Sequence, residues 1–216
     1  MASNEKYKIE IPPKDKWVRY ADELQKKIAA GADEPELQAY LATNPWILLA
    51  VFGHDAEGFV FTEYLIADGE KSDFVIITGR SYPEVHLIEL KTPKAELFIQ
   101  SGRMSEKFND GLMQSLNRMF ILMNENDYHQ NRFRISCDEV VRGEREHYQG
   151  RWAGPVTSNF TIPFPTAKPC SWQAKIVIGM DPKSERDDIF RSNFRDHFRI
   201  EVMHWDRLIR QLRKYV

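Results

Sequence analysis

The sequence predicts an α/β (α+β) domain in which a mixed β-sheet is flanked by helices on both sides. Three observations point that way. Between Gly58 and Leu90, three apolar, β-branched segments follow one another with turn residues between them. From Ala174 onward the pattern runs strand, helix, strand, helix. Stretches of helical apolar spacing stand before and between these two blocks, which is the element pattern of a layered mixed domain.

Each element has its own signals. A first helix, from about Lys16 to Ala30, carries Trp17, Tyr20, Leu24 and Ile28 on one stripe and ends at Gly31. Asp33 caps a second, with Pro35 in its first turn and Leu37, Tyr40 and Leu41 on its buried side, until Asn44-Pro45 stops it. Three strands follow: Gly58 to Ala67, which alternates, then Phe74 to Ile77 after the Asp68-Gly69 turn, then Val85 to Leu90. Together they form an antiparallel meander. A long helix from about Ser105 to Asn124 repeats Phe108, Leu112, Leu116, Met119, Phe120 and Met123 at helical spacing. From Asn126 to Ser171 the periodicity is weak and then proline-rich, which reads as an irregular insertion whose aromatics dock on the domain or on a partner. Ala174 to Met180 is a strand, Ser184 to His197 a helix, Arg199 to Met203 a strand, and Asp206 caps a last helix carrying Leu208, Ile209 and Leu212.

The chemistry concentrates between Ser72 and Pro93, in SDFVIITGRSYPEVHLIELKTP. A hairpin turn centred near Ser81 sets Asp73 opposite Glu89, with Lys91 two residues further along. Because strand side chains alternate, Glu89 and Lys91 share a face with Val85 and Leu87. Two carboxylates meeting at the end of an apolar hairpin make a site for a hard divalent cation that can activate water against a phosphodiester, with the lysine orienting that water. The competing reading is a cross-strand ion pair contributing roughly 0.5 kcal/mol. Of the chain's two acid-x-Lys tripeptides, Asp181-Pro182-Lys183 falls in a turn, and only Glu89-Leu90-Lys91 ends an apolar strand.

Composition narrows the function classes. The longest wholly apolar run, Trp46 to Phe52, is too short to cross a bilayer, and the polar amino terminus lacks a signal-peptide pattern, so a cytoplasmic protein without a membrane partner is expected. Cys137 and Cys170 suggest no disulfide framework. His129, Cys137, His147 and Cys170 contain no tight ligand pair of the zinc type. Residues 31–70 hold eight acids and no lysine or arginine, whereas residues 183–216 hold nine bases against six acids. That basic end is either a solvated face with i,i+4 ion pairs or a surface able to follow a phosphate backbone.

In this order and placement, the chain resembles the PD-(D/E)XK nucleases, and among them the Shedu (SduA) domain family. The resemblance rests on Asp73 with Glu89-Leu90-Lys91, on ELQAYLATNPWIL at residues 36–48, on Gln114 in the helix after the lysine strand, and on KIVIGM and IEVMHWDRLIRQL near the end. It implies a restriction-endonuclease-like fold over residues 34–216, an N-terminal helical extension over 1–33 and the insertion at about 126–171. It also implies a magnesium-dependent DNA endonuclease of antiphage defence, with manganese able to substitute, acting on DNA as a homo-oligomer. Carried over by position, Asp73, Glu89 and the main-chain oxygen of Leu90 become metal ligands and Lys91 the water-positioning residue. Gln114 supports the lysine or the phosphate, and Glu36 supplies the carboxylate that some members use for a second metal. The tyrosine customary four residues after the glutamine is Arg118 here. Glu63 is a more distant candidate for the same cleft. The alternatives are a non-catalytic nucleic-acid-binding or assembly module on the same fold, and a repair or transposon-type nuclease.

Overall fold

The computed structural model describes residues 12–53, 58–78, 83–142, 151–152, 170–181 and 185–215. Among them, seven α-helices surround one six-stranded sheet. The strands are β1 (Phe59–Ala67), β2 (Glu70–Thr78), β3 (Glu84–Leu90), β4 (Arg151–Trp152), β5 (Ser171–Val177) and β6 (Ile200–Met203), in the order β4-β1-β2-β3-β5-β6. The meander β1-β2-β3 is antiparallel, while β5 runs parallel to β3 and β6 parallel to β5. The change of sense follows from the connections, since a tight turn can only reverse a strand and a helical crossover returns it in the same direction. The α/β (α+β) class with a mixed, helix-flanked sheet is therefore the one observed.

Two apolar layers hold the helices on. On one face, Val60, Phe74, Ile76, Ile88, Leu90, Val177 and Met203 pack with α1 (Lys14–Ala29), α2 (Glu34–Thr43), α3 (Trp46–Phe52) and α7 (Trp205–Leu212). On the other, Phe61, Val75, Ile77, Val85, Leu87, Ala174 and Ile176 meet α4 (Glu106–Asn124), α5 (Asn126–Arg142) and, through Phe190 and Phe194, α6 (Glu185–Phe198). β3 and β5 are buried on both sides over most of their length, polar residues such as His86, Glu89 and Lys175 included.

Several expectations need correction. Asn44-Pro45 ends α2 as expected, but the run Trp46 to Phe52 that follows is a further helix, α3, buried at all seven positions. The insertion does not begin irregularly at Asn126: residues 126–142 form α5, whose Phe133, Cys137 and Val140 recur at helical spacing on its buried side, a stripe masked by the charged residues around it. The segments 143–150 and 153–169 lie outside the described residues. On α4 the buried stripe is Phe108, Leu112, Ser115, Met119 and Leu122, whereas Phe120 and Met123 are 66% and 64% exposed. Asp206 does not cap α7; His204 holds that position, and the Asp206 carboxylate accepts from the Asp181 main-chain nitrogen at 3.0 Å.

β1 alternates only in part. Glu63 adopts a left-handed backbone, φ +48°, between Thr62, which pairs with Phe74, and Tyr64, which pairs with Ser72. A single such residue resets the pleat, so that Phe59, Phe61, Tyr64 and Ile66 all join the same core layer.

Candidate metal centre and active site

The register of the hairpin decides what meets at the end of the sheet. Phe74 pairs with Ile88 and Thr78 with Glu84, so Asp73 comes level with Glu89, as the turn position predicts. Both stand on the α4 side of the sheet, in step with Val75 and Leu87. Glu89 and Lys91 are 4% and 7% exposed, and Asp73 is half-buried. Asp73 Oδ2 accepts from the Leu90 main-chain nitrogen at 2.7 Å. Lys91 Nζ donates to Glu89 Oε1 at 2.6 Å and to Gln114 Oε1 at 3.3 Å. Arg118 Nη1 donates to the other oxygen of Glu89, and its Nε lies 3.5 Å from Glu70 Oε2. Gln114 and Arg118 reach the strand together because they sit one turn apart on α4.

The backbone of Lys91 is pinned on both sides. Its nitrogen donates to the Val177 carbonyl at 2.7 Å, and its carbonyl accepts from Trp205 Nε1 at 2.8 Å. Its side-chain stem runs under Gly111 of α4, where an added Cβ would lie 3.0 Å from Lys91 Cε. A glycine there lets the helix pass over the lysine. Lys175, the other buried lysine described, is a useful contrast, because its Nζ is spent on Glu201 at 2.7 Å and Gln173 at 3.3 Å and faces the Phe52 ring.

The expected helix carboxylate, Glu36, does not join this group. It is exposed, and its side chain closes a capping box with Asp33: Oε2 accepts from the Asp33 nitrogen at 3.2 Å while Asp33 Oδ1 accepts from the Glu36 nitrogen at 3.0 Å. Glu34 is the acid of that helix that feels the site. Its pKa is raised, first by burial and then by the Glu89 charge, with Lys91 and Lys107 opposing. Residues two apart on a helix point to nearly opposite sides, so one acid caps and the other faces the sheet. The D-x-x-E spacing of Asp33 and Glu36 is the sequence signal that assigns Glu36 to the cap. Glu63 is exposed.

Asp73 is under electrostatic strain. Burial, and then the neighbouring Glu89 charge, push its pKa up to about 7, against the Leu90 N–H and Lys91, which lower it. In the metal-free protein the carboxyl therefore holds a proton at pH values where the unfolded chain has lost it. Its contribution to stability is complete below about pH 4 and disappears as the pH rises through 7. Asp73→Asn, which keeps an acceptor for Leu90, is expected to raise the melting temperature of the metal-free protein at pH 8 by roughly 3–6 °C and to change it little at about pH 4. Calorimetry in chelator at the two pH values checks this, and an equal shift at both would contradict it.

The donors present fit a hard divalent cation. Asp73, Glu89 and the Leu90 main-chain oxygen form an all-oxygen set, and the pressure that neighbouring carboxylates put on Asp73 is what a bound cation relieves. Among the described residues, no three His, Cys, Asp or Glu side chains are gathered as ready metal ligands, and Cys137 and Cys170 are separate buried thiols. His147 lies outside the described residues. Two of the basic carboxy-terminal residues are spent on ion pairs: Arg210 with Asp181 and Asp206 at 3.2 Å each, Arg213 with Asp22 at 2.9 Å.

A mixed sheet with an aspartate on one strand and Glu-x-Lys ending its antiparallel neighbour is the arrangement that defines the PD-(D/E)XK nuclease class. The family described as Shedu protein SduA, C-terminal, matches residues 31–209. The chain belongs to that family, which is associated with nuclease activity and antiphage defence. No curated protein matches the chain. Among the described residues, no helix is long and apolar enough to cross a membrane.

Proposed function

We propose that the protein is a metal-dependent DNA endonuclease of antiphage defence, with magnesium as its cofactor and manganese able to substitute. The observation that supports this best is the convergence of Asp73, Glu89, Lys91 and Gln114 at one end of the sheet. Asp73, Glu89 and the Leu90 carbonyl would hold the cation, with Glu34 close by. Bound there, the cation supplies charge neutralisation at the scissile phosphate and makes the attacking water more acidic. Lys91, aimed by Glu89 and Gln114, orients that water and offsets the negative charge that grows on the phosphoryl oxygens. In-line hydrolysis would leave a 5′-phosphate and a 3′-hydroxyl.

The test is incubation of the purified protein with circular and linear DNA, with magnesium or with chelator. Cleavage that needs the cation is expected; binding without strand scission would make the chain a non-catalytic nucleic-acid module instead. Glu34 and Glu36 refine the result. Glu34→Gln is expected to lower cleavage by about tenfold or more at limiting magnesium. Glu36→Gln, which keeps an acceptor for the Asp33 N–H, should leave cleavage intact and cost no more than about 0.5 kcal/mol of stability. The reverse ranking would assign the second carboxylate to Glu36.

A further inference from the structure

Arg118 sets this site apart. Glu89 is buried with both carboxylate oxygens taken, Oε1 by Lys91 and Oε2 by Arg118. A carboxylate so held is satisfied as it stands, and a divalent cation approaching Oε2 must share it with a guanidinium of like charge. Arg118 has a second acid at hand. Its Nε is buried without a hydrogen-bond partner among the described residues, yet stands 3.5 Å from Glu70 Oε2. Glu70 opens β2 directly after Gly69, whose positive φ of 79° makes the turn, and its side chain is 32% exposed, so it can adjust at small cost.

We propose that Arg118 is a positioning residue that passes between two acids, holding Glu89 in the metal-free protein and transferring to Glu70 when a divalent cation binds at Glu89. Glu70 thereby sets metal affinity without touching the metal. Two consequences follow from the charges alone. Removing Arg118 frees an oxygen of Glu89 and deletes a repelling charge, so the cation binds more tightly. Removing the Glu70 charge leaves Arg118 nowhere to go, so the cation binds more weakly, and only while Arg118 is present. The proposal rests on the metal-dependent reading of the site.

Calorimetric titration of manganese, without DNA, into wild type, Glu70→Gln, Arg118→Met and the double variant tests it, with melting temperatures recorded for each. Glu70→Gln is expected to weaken binding by about threefold to tenfold, Arg118→Met to tighten it by about tenfold, and Glu70→Gln to have no effect in the Arg118→Met background. Equal weakening by Glu70→Gln in both backgrounds, or binding by Arg118→Met no tighter than wild type, overturns the transfer. Should Arg118→Met fail to fold, the half-exposed Glu70→Gln decides: an unchanged affinity overturns the proposal by itself. Wild type that binds no manganese at all would instead overturn the metal reading on which it rests.

Discussion

Lys91→Met is expected to lower magnesium-dependent DNA cleavage by about 10²–10⁴-fold while the protein remains folded. Methionine keeps the unbranched stem that passes beneath Gly111, so α4 has no void to collapse into. Losing the ammonium leaves Glu89 buried, which by itself is destabilising, but Arg118 still holds the second carboxylate oxygen. The loss of stability should therefore stay at about 1–3 kcal/mol, a fall of roughly 2–12 °C in melting temperature for a chain of this length. Asp73→Ala should reduce cleavage at least as much, because it removes a proposed metal donor together with the acceptor for the Leu90 N–H. Plasmid cleavage followed with time, beside melting curves, separates the chemical effect from a folding effect. Near-wild-type cleavage by Lys91→Met would remove the lysine from the mechanism.

Trp205→Ala should be the most destabilising single change near the site, although Trp205 touches none of the proposed chemistry. The ring is completely buried among Leu90, Val177 and the α1 and α7 residues, and truncating a buried tryptophan typically costs about 3–5 kcal/mol. The Lys91 carbonyl would also lose its donor, Trp205 Nε1, a further cost of about 1–3 kcal/mol if no water replaces it. Trp205→Phe isolates the second effect. It should lose roughly 1–2 kcal/mol and lower cleavage through the displaced Lys91 backbone, with magnesium affinity nearly unchanged. Denaturant unfolding and cleavage assays on the pair check both statements, and a Trp205→Phe variant with wild-type stability and activity would show that the 2.8 Å contact contributes nothing.

How legible the molecule is from its residues depends on how local the deciding physics is. Asp73 and Glu89 come level because the turn between them fixes the pairing, and strand alternation then puts Lys91 on the same face. The helix starts at Asp33 and Ser105 were equally readable, since each cap is a contact across three residues. Where longer-range packing intervenes, the pattern misleads. Phe120 and Met123 fit a helical stripe but face outward, because the sheet accepts only the side of α4 that carries Phe108, Leu112, Met119 and Leu122. The alternation of β1 breaks at Glu63, whose backbone is set by its place between Thr62 and Tyr64.

The amino-acid sequence alone determined the meander, its register and the grouping of Asp73, Glu89 and Lys91, because turn chemistry and the two-residue period of a strand act between close neighbours in the chain. Only the tertiary structure decided that Glu34 looks toward that group, and that Arg118 takes the second oxygen of Glu89 with Glu70 beside it. Those choices depend on how α2 and α4 are rotated and seated against the sheet. That seating comes from apolar contacts among residues far apart in sequence, which no local pattern encodes.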